Sequence, residues 1–179
     1  KLLPYHDELK KAGACFGATA GYERPMWFSL NGKDTKYDYS YNFQNWYPSA
    51  EYETINARKN VGLFDLSAFS KFDLKGESVH DELQKISTAN VKNFPGKTTY
   101  TQMLNKDGGI EMDLSIACIN KNHFRIVSSA STREHDKAHI VKYLPDKIHL
   151  KDVTEEYCCF GLFGPKSRQM MSNLSKDDF

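Results

Sequence analysis

The chain has 179 residues, a length that suits one domain of ordinary size or two small ones. Its 40% of hydrophobic and 26% of charged residues are typical of a folded globular protein and exclude an intrinsically disordered chain. The formal net charge is +1 and no apolar run approaches the roughly 20 residues of a spanning helix, so neither nucleic acid nor a membrane is expected as a partner.

The first predicted elements surround a long irregular segment. A short helix is predicted over residues 5–11. Residues 31–47 are polar and aromatic without a clean period, so we expect an irregular excursion there. A second helix is predicted to begin at Ser49, whose hydroxyl suits an N-cap, and to end near Gly62, a plausible C-cap.

A strand and a helix are predicted next. Polar and apolar residues alternate over 71–75, which indicates a half-buried strand. Ser78 then resembles the first residue of a capping box. The helix behind it has one apolar face, formed by Val79, Leu83 and Ile86.

The middle of the chain predicts β-structure. Residues 98–104 are rich in Thr and Tyr, and the polar turn 105–109 follows them. Apolar residues alternate over 113–119, and a further strand is predicted over 124–127.

Helices return towards the end of the chain. A capping box at 131–134 begins a helix that carries Ala138, Val141 and Leu144 inward and ends at Pro145. A strand over 157–161 and a helix opened by Gly164-Pro165 complete the order. Mixed runs of helices and strands with hairpin signals predict the α+β class. Since few residues follow that last helix start, we expect the chain to stop partway through a longer module.

Asp113 is the most informative candidate residue. A di-glycine turn within 105–109 delivers this acid to the start of an otherwise apolar strand. An acid beside a hairpin commonly accepts turn hydrogen bonds, and from spacing alone that is the more frequent role. The alternative is a partly desolvated carboxylate aimed into a cavity, where it would accept a hydrogen bond from a ring nitrogen or take a proton.

Several segments resemble one family. Residues 61–72, Val-Gly-Leu-Phe-Asp-Leu-Ser-Ala-Phe-Ser-Lys-Phe, are similar to a signature of aminomethyltransferase-type (glycine-cleavage T-protein-like) folate domains, in the form fused to dimethylglycine and sarcosine dehydrogenases. Residues 161–165, Gly-Leu-Phe-Gly-Pro, resemble the family's apolar element ending in Gly-Pro. Residues 13–17 and 21–28 look like the junction that follows the flavin-binding half of those dehydrogenases.

The resemblance implies a fold and a division of the chain. The implied fold is α+β, with mixed or antiparallel sheets and flanking helices. Residues 1–28 would be the junction behind an absent flavin-binding half. Residues 29–179 would be the N-terminal portion of a folate-binding domain that is incomplete at its C-terminus.

The resemblance also assigns site residues. The family's catalytic aspartate falls on Asp113, whose implied role is to orient tetrahydrofolate and assist attack of its nitrogen on a one-carbon iminium or formaldehyde unit. Tyr100 falls on a folate-contacting position, and Val127 and Ser129 fall on the strand end that lines the pterin. The T-protein pattern has Asn where Ser129 stands, and two adjacent acids where this chain has Met112-Asp113.

The implied function is one-carbon transfer. In the dehydrogenases that the chain resembles, a flavin half oxidises an N-methyl amine to an iminium, and the folate half captures the carbon as methylenetetrahydrofolate. Tetrahydrofolate is therefore the expected cofactor of this chain, and FAD is expected only in an absent upstream domain. The chain is expected to pack on that flavin domain and on the C-terminal remainder of the folate module, and to be inactive alone. The expected compartment is the cytoplasm in a bacterium or the mitochondrial matrix in a eukaryote.

Other functions of the same architecture stay open. One is the stand-alone T-protein, although the junction at residues 13–28 is not expected in it. Another is a non-catalytic regulatory relative, such as the regulatory subunit of pyruvate dehydrogenase phosphatase, against which the presence of Asp113 argues. A third is a demethylase acting on a sulfonium or aryl ether, which the junction motif disfavours.

The remaining candidates have simpler explanations. His135 and His139 have the spacing of a zinc pair, but no third ligand is evident, so a solvated helix face is expected and no metal. Lys71 and Arg58 could suit the glutamate tail of folate, but surface charge is the default expectation. The four cysteines are expected to be reduced core residues, Cys158 among them.

Overall fold

The computed structural model describes residues 1–32 and 35–178. These residues form two compact units. The second unit runs from Phe69 to Tyr157, and the first comprises the chain before and after it. Residues 1–28 lie in the first unit, and their role as a junction stays a prediction.

The helices and strands follow one another in this order along the chain: α1 (His6–Lys11), β1 (Ala14–Thr19), β2 (Tyr22–Phe28), α2 (Tyr47–Lys59), β3 (Gly62–Asp65), β4 (Ser70–Lys75), α3 (Val79–Ile86), β5 (Thr98–Leu104), β6 (Ile110–Asn120), β7 (His123–Ser128), α4 (Arg133–Tyr143), β8 (His149–Asp152), β9 (Phe160–Phe163) and α5 (Ser167–Leu174). Short 3-10 turns precede α4 and follow β8.

The first unit contains two small antiparallel sheets. Strands β1 and β2 form a hairpin, and β3 pairs with β9. Ala20 and Gly21, at the hairpin turn, both have positive φ, as tight two-residue β-hairpins require. The irregular excursion predicted after β2 is confirmed, since the described residues between Phe28 and Tyr47 contain neither helix nor strand.

The start of α2 differs from the prediction. The helix begins at Tyr47, with Pro48 in its first turn, so Ser49 lies inside the helix and is buried instead of capping it. Proline suits the first turn because its missing N–H would have no helical partner there. The helix ends at Lys59 with Asn60 as its cap, and Gly62 begins β3.

A five-stranded antiparallel sheet forms the centre of the second unit. Its strand order is β5-β6-β7-β4-β8. One face carries the hydrophobic core, against which α3 packs Val79 and Leu83. The members of this core from the strands are Phe72, Leu74, Met103, Met112, Leu114, Ile116, Cys118, Phe124 and Ile126. The half-burial predicted for β4 is wrong, because β4 lies between β7 and β8 and residues 70–74 are all buried.

The predicted capping boxes do not form. Ser78 takes a left-handed conformation, with φ of 61°, and makes no side-chain cap. Before α4 the chain forms a 3-10 turn, and Thr132 donates to the carboxylate of Asp136 at 3.0 Å instead of capping the backbone. As a result α4 buries Asp136 and Ile140, whereas Val141, predicted to face inward, is 55% exposed.

The predicted α+β class with antiparallel sheets and flanking helices is confirmed. The last strand lies at β9, two to three residues later than predicted, and β8 was not predicted. Within residues 1–32 and 35–178, no helix combines the length and the apolar character that crossing a bilayer requires.

Candidate functional site

The second face of the five-stranded sheet carries the predicted site residues. Side chains alternate along each strand, so residues next to the core residues point to this face. Tyr100 on β5 pairs with Ser115 on β6, and Ser115 pairs with Val127 on β7. Two residues further along each strand, on the same face, Gln102 pairs with Asp113. We call this side the polar face of the sheet.

The turn between β5 and β6 positions Asp113. The side-chain oxygen of Asn105 accepts hydrogen bonds from the N–H groups of Asp107 at 3.0 Å and Gly109 at 2.8 Å. Gly108 has a φ of +83°, a conformation that glycine adopts without strain. With the turn fixed, Met112 and Leu114 enter the core and Asp113 points to the polar face.

Asp113 belongs to a small hydrogen-bonded group. Gln102 Nε2 donates to Asp113 Oδ1 at 3.0 Å. The Asp113 carboxylate also acts on the Tyr100 phenol and raises the pKa of Tyr100, because a neighbouring carboxylate makes a phenol harder to ionise. Asp113 itself is exposed, so the partial desolvation predicted for it is wrong for this chain.

Val127 and Ser129 lie further along the same region. Val127 is half-buried and pairs with Lys71 of β4 as well as with Ser115. Ser129 follows directly after β7, and its hydroxyl lies 2.8 Å from that of Ser131 and accepts from the Ser131 N–H at 3.3 Å. The structure therefore places Tyr100, Asp113 and Val127 on one face of the sheet, and Ser129 just beyond the end of β7.

A second cluster on the polar face was missed in the sequence. Arg125 pairs with Asp73 across β7 and β4, and the Arg125 guanidinium lies 3.8 Å from the ring centre of Tyr157. Burial acts to raise the pKa of Asp73, but the hydrogen bonds from Arg125 and the imidazole of His123, 3.0 Å from Asp73 Oδ2, outweigh it, so the pKa is lowered. In each strand the sequence shows only a charged residue between two core residues, Asp73 and Arg125, a pattern shared by any strand that has one polar face.

The surface position expected for Lys71 is wrong. Lys71 is 2% exposed, and its ammonium donates to the carbonyl of Phe69 at 2.9 Å and to that of Thr154 at 3.4 Å. A buried ammonium needs such acceptors. Arg58, in contrast, is exposed as expected.

His135 of α4 contacts the start of β6. His135 Nε2 lies 2.9 Å from Glu111 Oε2, and a cavity of about 490 Å³ beside them is lined in part by His139. Asp113 does not line this cavity. Throughout the described part of the chain, no group of three or more His, Cys, Asp or Glu residues could hold a metal ion.

The cysteines divide between core and surface. Cys15 and Cys118 are buried, as predicted, and burial raises the pKa of both thiols. Cys158 is exposed, so its predicted core position is wrong.

The GCVT N-terminal domain family matches residues 5–179, and the chain belongs to this family. The predicted relationship to aminomethyltransferases and to dimethylglycine and sarcosine dehydrogenases is thereby confirmed.

The chain is similar to parts of several larger proteins. The 4-methylaminobutanoate oxidase (formaldehyde-forming) of Paenarthrobacter nicotinovorans is 35% identical over 100% of this chain and 22% of that protein. The mitochondrial pyruvate dehydrogenase phosphatase regulatory subunit of Mus musculus is 31% identical over 98% of this chain and 21% of that protein. Mitochondrial dimethylglycine dehydrogenase of Mus musculus is 28% identical over 94% of this chain and 20% of that protein. The chain thus spans about a fifth of the length of these relatives.

A solved structure has the same fold. The glycine cleavage system aminomethyltransferase T from Bartonella henselae aligns with a TM-score of 0.80 and 23% sequence identity. The alignment covers 97% of this chain and 43% of that one.

Proposed function

We propose that this chain is the tetrahydrofolate-binding, one-carbon transfer module of an FAD-dependent N-methyl amine dehydrogenase of the dimethylglycine or sarcosine type. The observation that carries the proposal is the group formed by Tyr100, Gln102 and Asp113 on the polar face. The names of several relatives, which are oxidases or dehydrogenases of N-methyl amines, support it.

The residues of the polar face fit a reduced pterin. The Asp113 carboxylate offers acceptors for ring N–H groups, and the Tyr100 hydroxyl and the Gln102 amide add further polar contacts. Val127 offers an apolar surface for a flat ring. Tyr100 is 65% exposed and Asp113 is also exposed, so a ligand can reach both.

Asp113 would act by orientation and by proton transfer. When bound, tetrahydrofolate supplies the nucleophilic nitrogen that takes up the one-carbon unit. The role of Asp113 is to accept a hydrogen bond from a ligand N–H, which fixes the ligand's orientation, and then to take up the proton that this nitrogen loses. Tyr100 adds a phenol whose pKa the same carboxylate raises, so that it stays protonated as a donor.

The chain is, in this proposal, one part of a longer polypeptide. Residues 1–28 are the junction behind a flavin-binding half that holds FAD, and residues 29–179 are the first portion of the folate domain. The iminium arises in the flavin half. The chain packs on that half and on the remainder of the folate domain, in the bacterial cytoplasm or the mitochondrial matrix.

Asp113→Asn in the complete protein tests the proposal. Trapping of the substrate methyl carbon as methylenetetrahydrofolate is measured relative to amine oxidation in the same sample. Loss of a general base predicts a decrease in trapping of about a hundredfold or more. Asp107→Asn makes the same change of charge on the exposed turn of the same hairpin and serves as the matched control. Equal trapping by both variants would contradict the proposal.

The 31% identity to a phosphatase regulatory subunit supports one alternative, a non-catalytic regulatory module. In that case the complete protein does not oxidise an N-methyl amine, so there is no trapping of a methyl carbon that Asp113→Asn could lower. Substrate-dependent reduction of a bound flavin distinguishes the two functions.

A further inference from the structure

Gln102 lies directly opposite Asp113 because of a β-bulge. The register of β5 and β6 shifts between Met103 and Leu104, so that Met103 pairs with Met112 and Gln102 with Asp113. The shift keeps both methionines in the core and therefore brings the two polar side chains together on the polar face.

The backbone of Gln102 is held independently of Asp113. Its carbonyl accepts hydrogen bonds from the N–H of Thr88 at 3.0 Å and from the Thr88 hydroxyl at 3.2 Å. Thr88 lies just after α3, whose residues Val79 and Leu83 are fully buried. The backbone that carries the Gln102 side chain is therefore held in place by its contacts with Thr88.

The contact constrains one oxygen of the carboxylate. Gln102 Nε2 donates to Asp113 Oδ1 at 3.0 Å, and this contact favours one orientation of the exposed carboxylate. A neutral amide donor stabilises the ionised carboxylate without neutralising it, whereas a lysine or arginine would compete with a ligand N–H for its charge.

We propose that Gln102 is a positioning residue for Asp113, which it holds in the one side-chain orientation that presents its carboxylate to the folate nitrogen. The inference rests on the proposed function of Asp113. An exposed aspartate on a strand otherwise samples several staggered rotamers, and loss of orientation at a reacting group lowers the rate more than it weakens binding.

Two substitutions test this role in the complete protein. Gln102→Met removes the donor at nearly constant volume. It is expected to lower kcat for methylene trapping roughly tenfold, with a much smaller change in the KM for tetrahydrofolate. Gln102→Glu keeps the shape but places a second carboxylate beside Asp113, which disfavours the ionised form of both.

The Gln102→Glu variant is read by its pH profile. Tyr100 on β5 is the titratable neighbour of Asp113, and Glu111, two residues earlier on β6, is engaged by His135. On the other side of β6 lie Val127 of β7 and Ser129, which follows that strand. Trapping is expected to slow at low pH, where the base is protonated. In Gln102→Glu this decrease in rate is expected to begin at a higher pH than in the wild type. A merely structural substitution does not produce such a displacement.

Gln84→Met is the matched control. Gln84 also lies in the second unit, and its amide bonds the carbonyl of Ala89 at 3.0 Å and the N–H of Val91 at 2.8 Å. This change is expected to lower the Tm and leave the pH profile of trapping in place.

The outcomes separate the two proposals. If Asp113→Asn leaves trapping intact, the proposed function fails. If Asp113→Asn lowers trapping about a hundredfold while Gln102→Met and Gln102→Glu both retain the wild-type kcat and pH profile, only the positioning role fails. Adding Gln102→Met to Asp113→Asn is expected to cause no further loss, because the two residues act as one unit. A further tenfold loss in that double variant would also overturn the positioning role.

Discussion

Arg125 holds Asp73 through two parallel hydrogen bonds, from Nε to Oδ1 at 2.7 Å and from Nη2 to Oδ2 at 3.0 Å. The pair joins β7 to β4, the strand next to it in the five-stranded sheet. Asp73 is 5% exposed, and the ring of Tyr157 covers the guanidinium. Bidentate pairs of this kind combine strength with a defined geometry.

Removing the Asp73 charge is expected to destabilise the second unit. In Asp73→Asn the Arg125 guanidinium keeps its charge without a carboxylate partner, and breaking a buried pair in this way costs about 3 kcal/mol of unfolding free energy. Urea denaturation followed by circular dichroism measures the change. Asp81→Asn, on an aspartate whose side chain is 72% exposed, is the control and is expected to stay within about 0.5 kcal/mol of the wild type. A loss below about 1 kcal/mol in Asp73→Asn would show that the pair stabilises little.

Stability is expected to fall in acid through Asp73 and Asp152. Burial acts to raise the pKa of Asp152 too, but hydrogen bonds from Arg133 and Thr154 outweigh it, so both carboxyl groups have a lowered pKa. Groups of this kind contribute stability that is fully present above their unfolded pKa of about 3.9 and is lost as the pH falls through the folded value. Urea midpoints at pH 7, 5, 4 and 3 are therefore expected to change little through these groups until about pH 4, and then to decrease. Asp73→Asn should flatten this decrease, and an unchanged slope in that variant would contradict the assignment.

Phe124 is expected to be a major contributor to the core of the sheet. Its side chain is fully buried, so Phe124→Ala removes its packing and leaves a cavity, at a cost of about 3–5 kcal/mol. Ile116→Val, at another fully buried position, removes one methyl group and is expected to cost about 0.5–1.5 kcal/mol. Denaturant titration of both variants gives the comparison. Similar costs for the two would mean that the core relaxes around the larger deletion.

Gly108 is expected to be required for its backbone conformation alone. Its φ is +83°, and a Cβ added there would meet nothing within 4 Å, so Gly108→Ala introduces strain without a clash. The expected cost is about 1–2 kcal/mol of unfolding free energy. Gly108→Asn should cost less, because asparagine tolerates the left-handed region better than alanine. Alanine and asparagine variants that are equally stable would contradict this explanation.

Strands β5, β6 and β7 of the second unit were well predicted because their side chains alternate clearly. Leu114, Ile116 and Cys118 enter the core as the sequence predicted, which places Asp113 on the opposite face. The inward face of helix α4 was not well predicted, because it contains a charged residue. Asp136 is 1% exposed and accepts a hydrogen bond from Thr132, a contact that an apolar pattern does not reveal.

The sequence by itself determined the class of the fold, the family, the hairpin turn and the identity of the acid that this turn presents. Each of these was inferred from short motifs of neighbouring residues, whose spacing predicts the local structure. Only the tertiary structure decided that Gln102 is the cross-strand neighbour of Asp113. Counting outward from the turn without a bulge would place Gln102 opposite Met112, and the bulge that corrects the register arises because the core must receive Met103 and Met112 together. The Asp73–Arg125 pair was decided in the same way, since strands 52 residues apart meet only when the sheet forms.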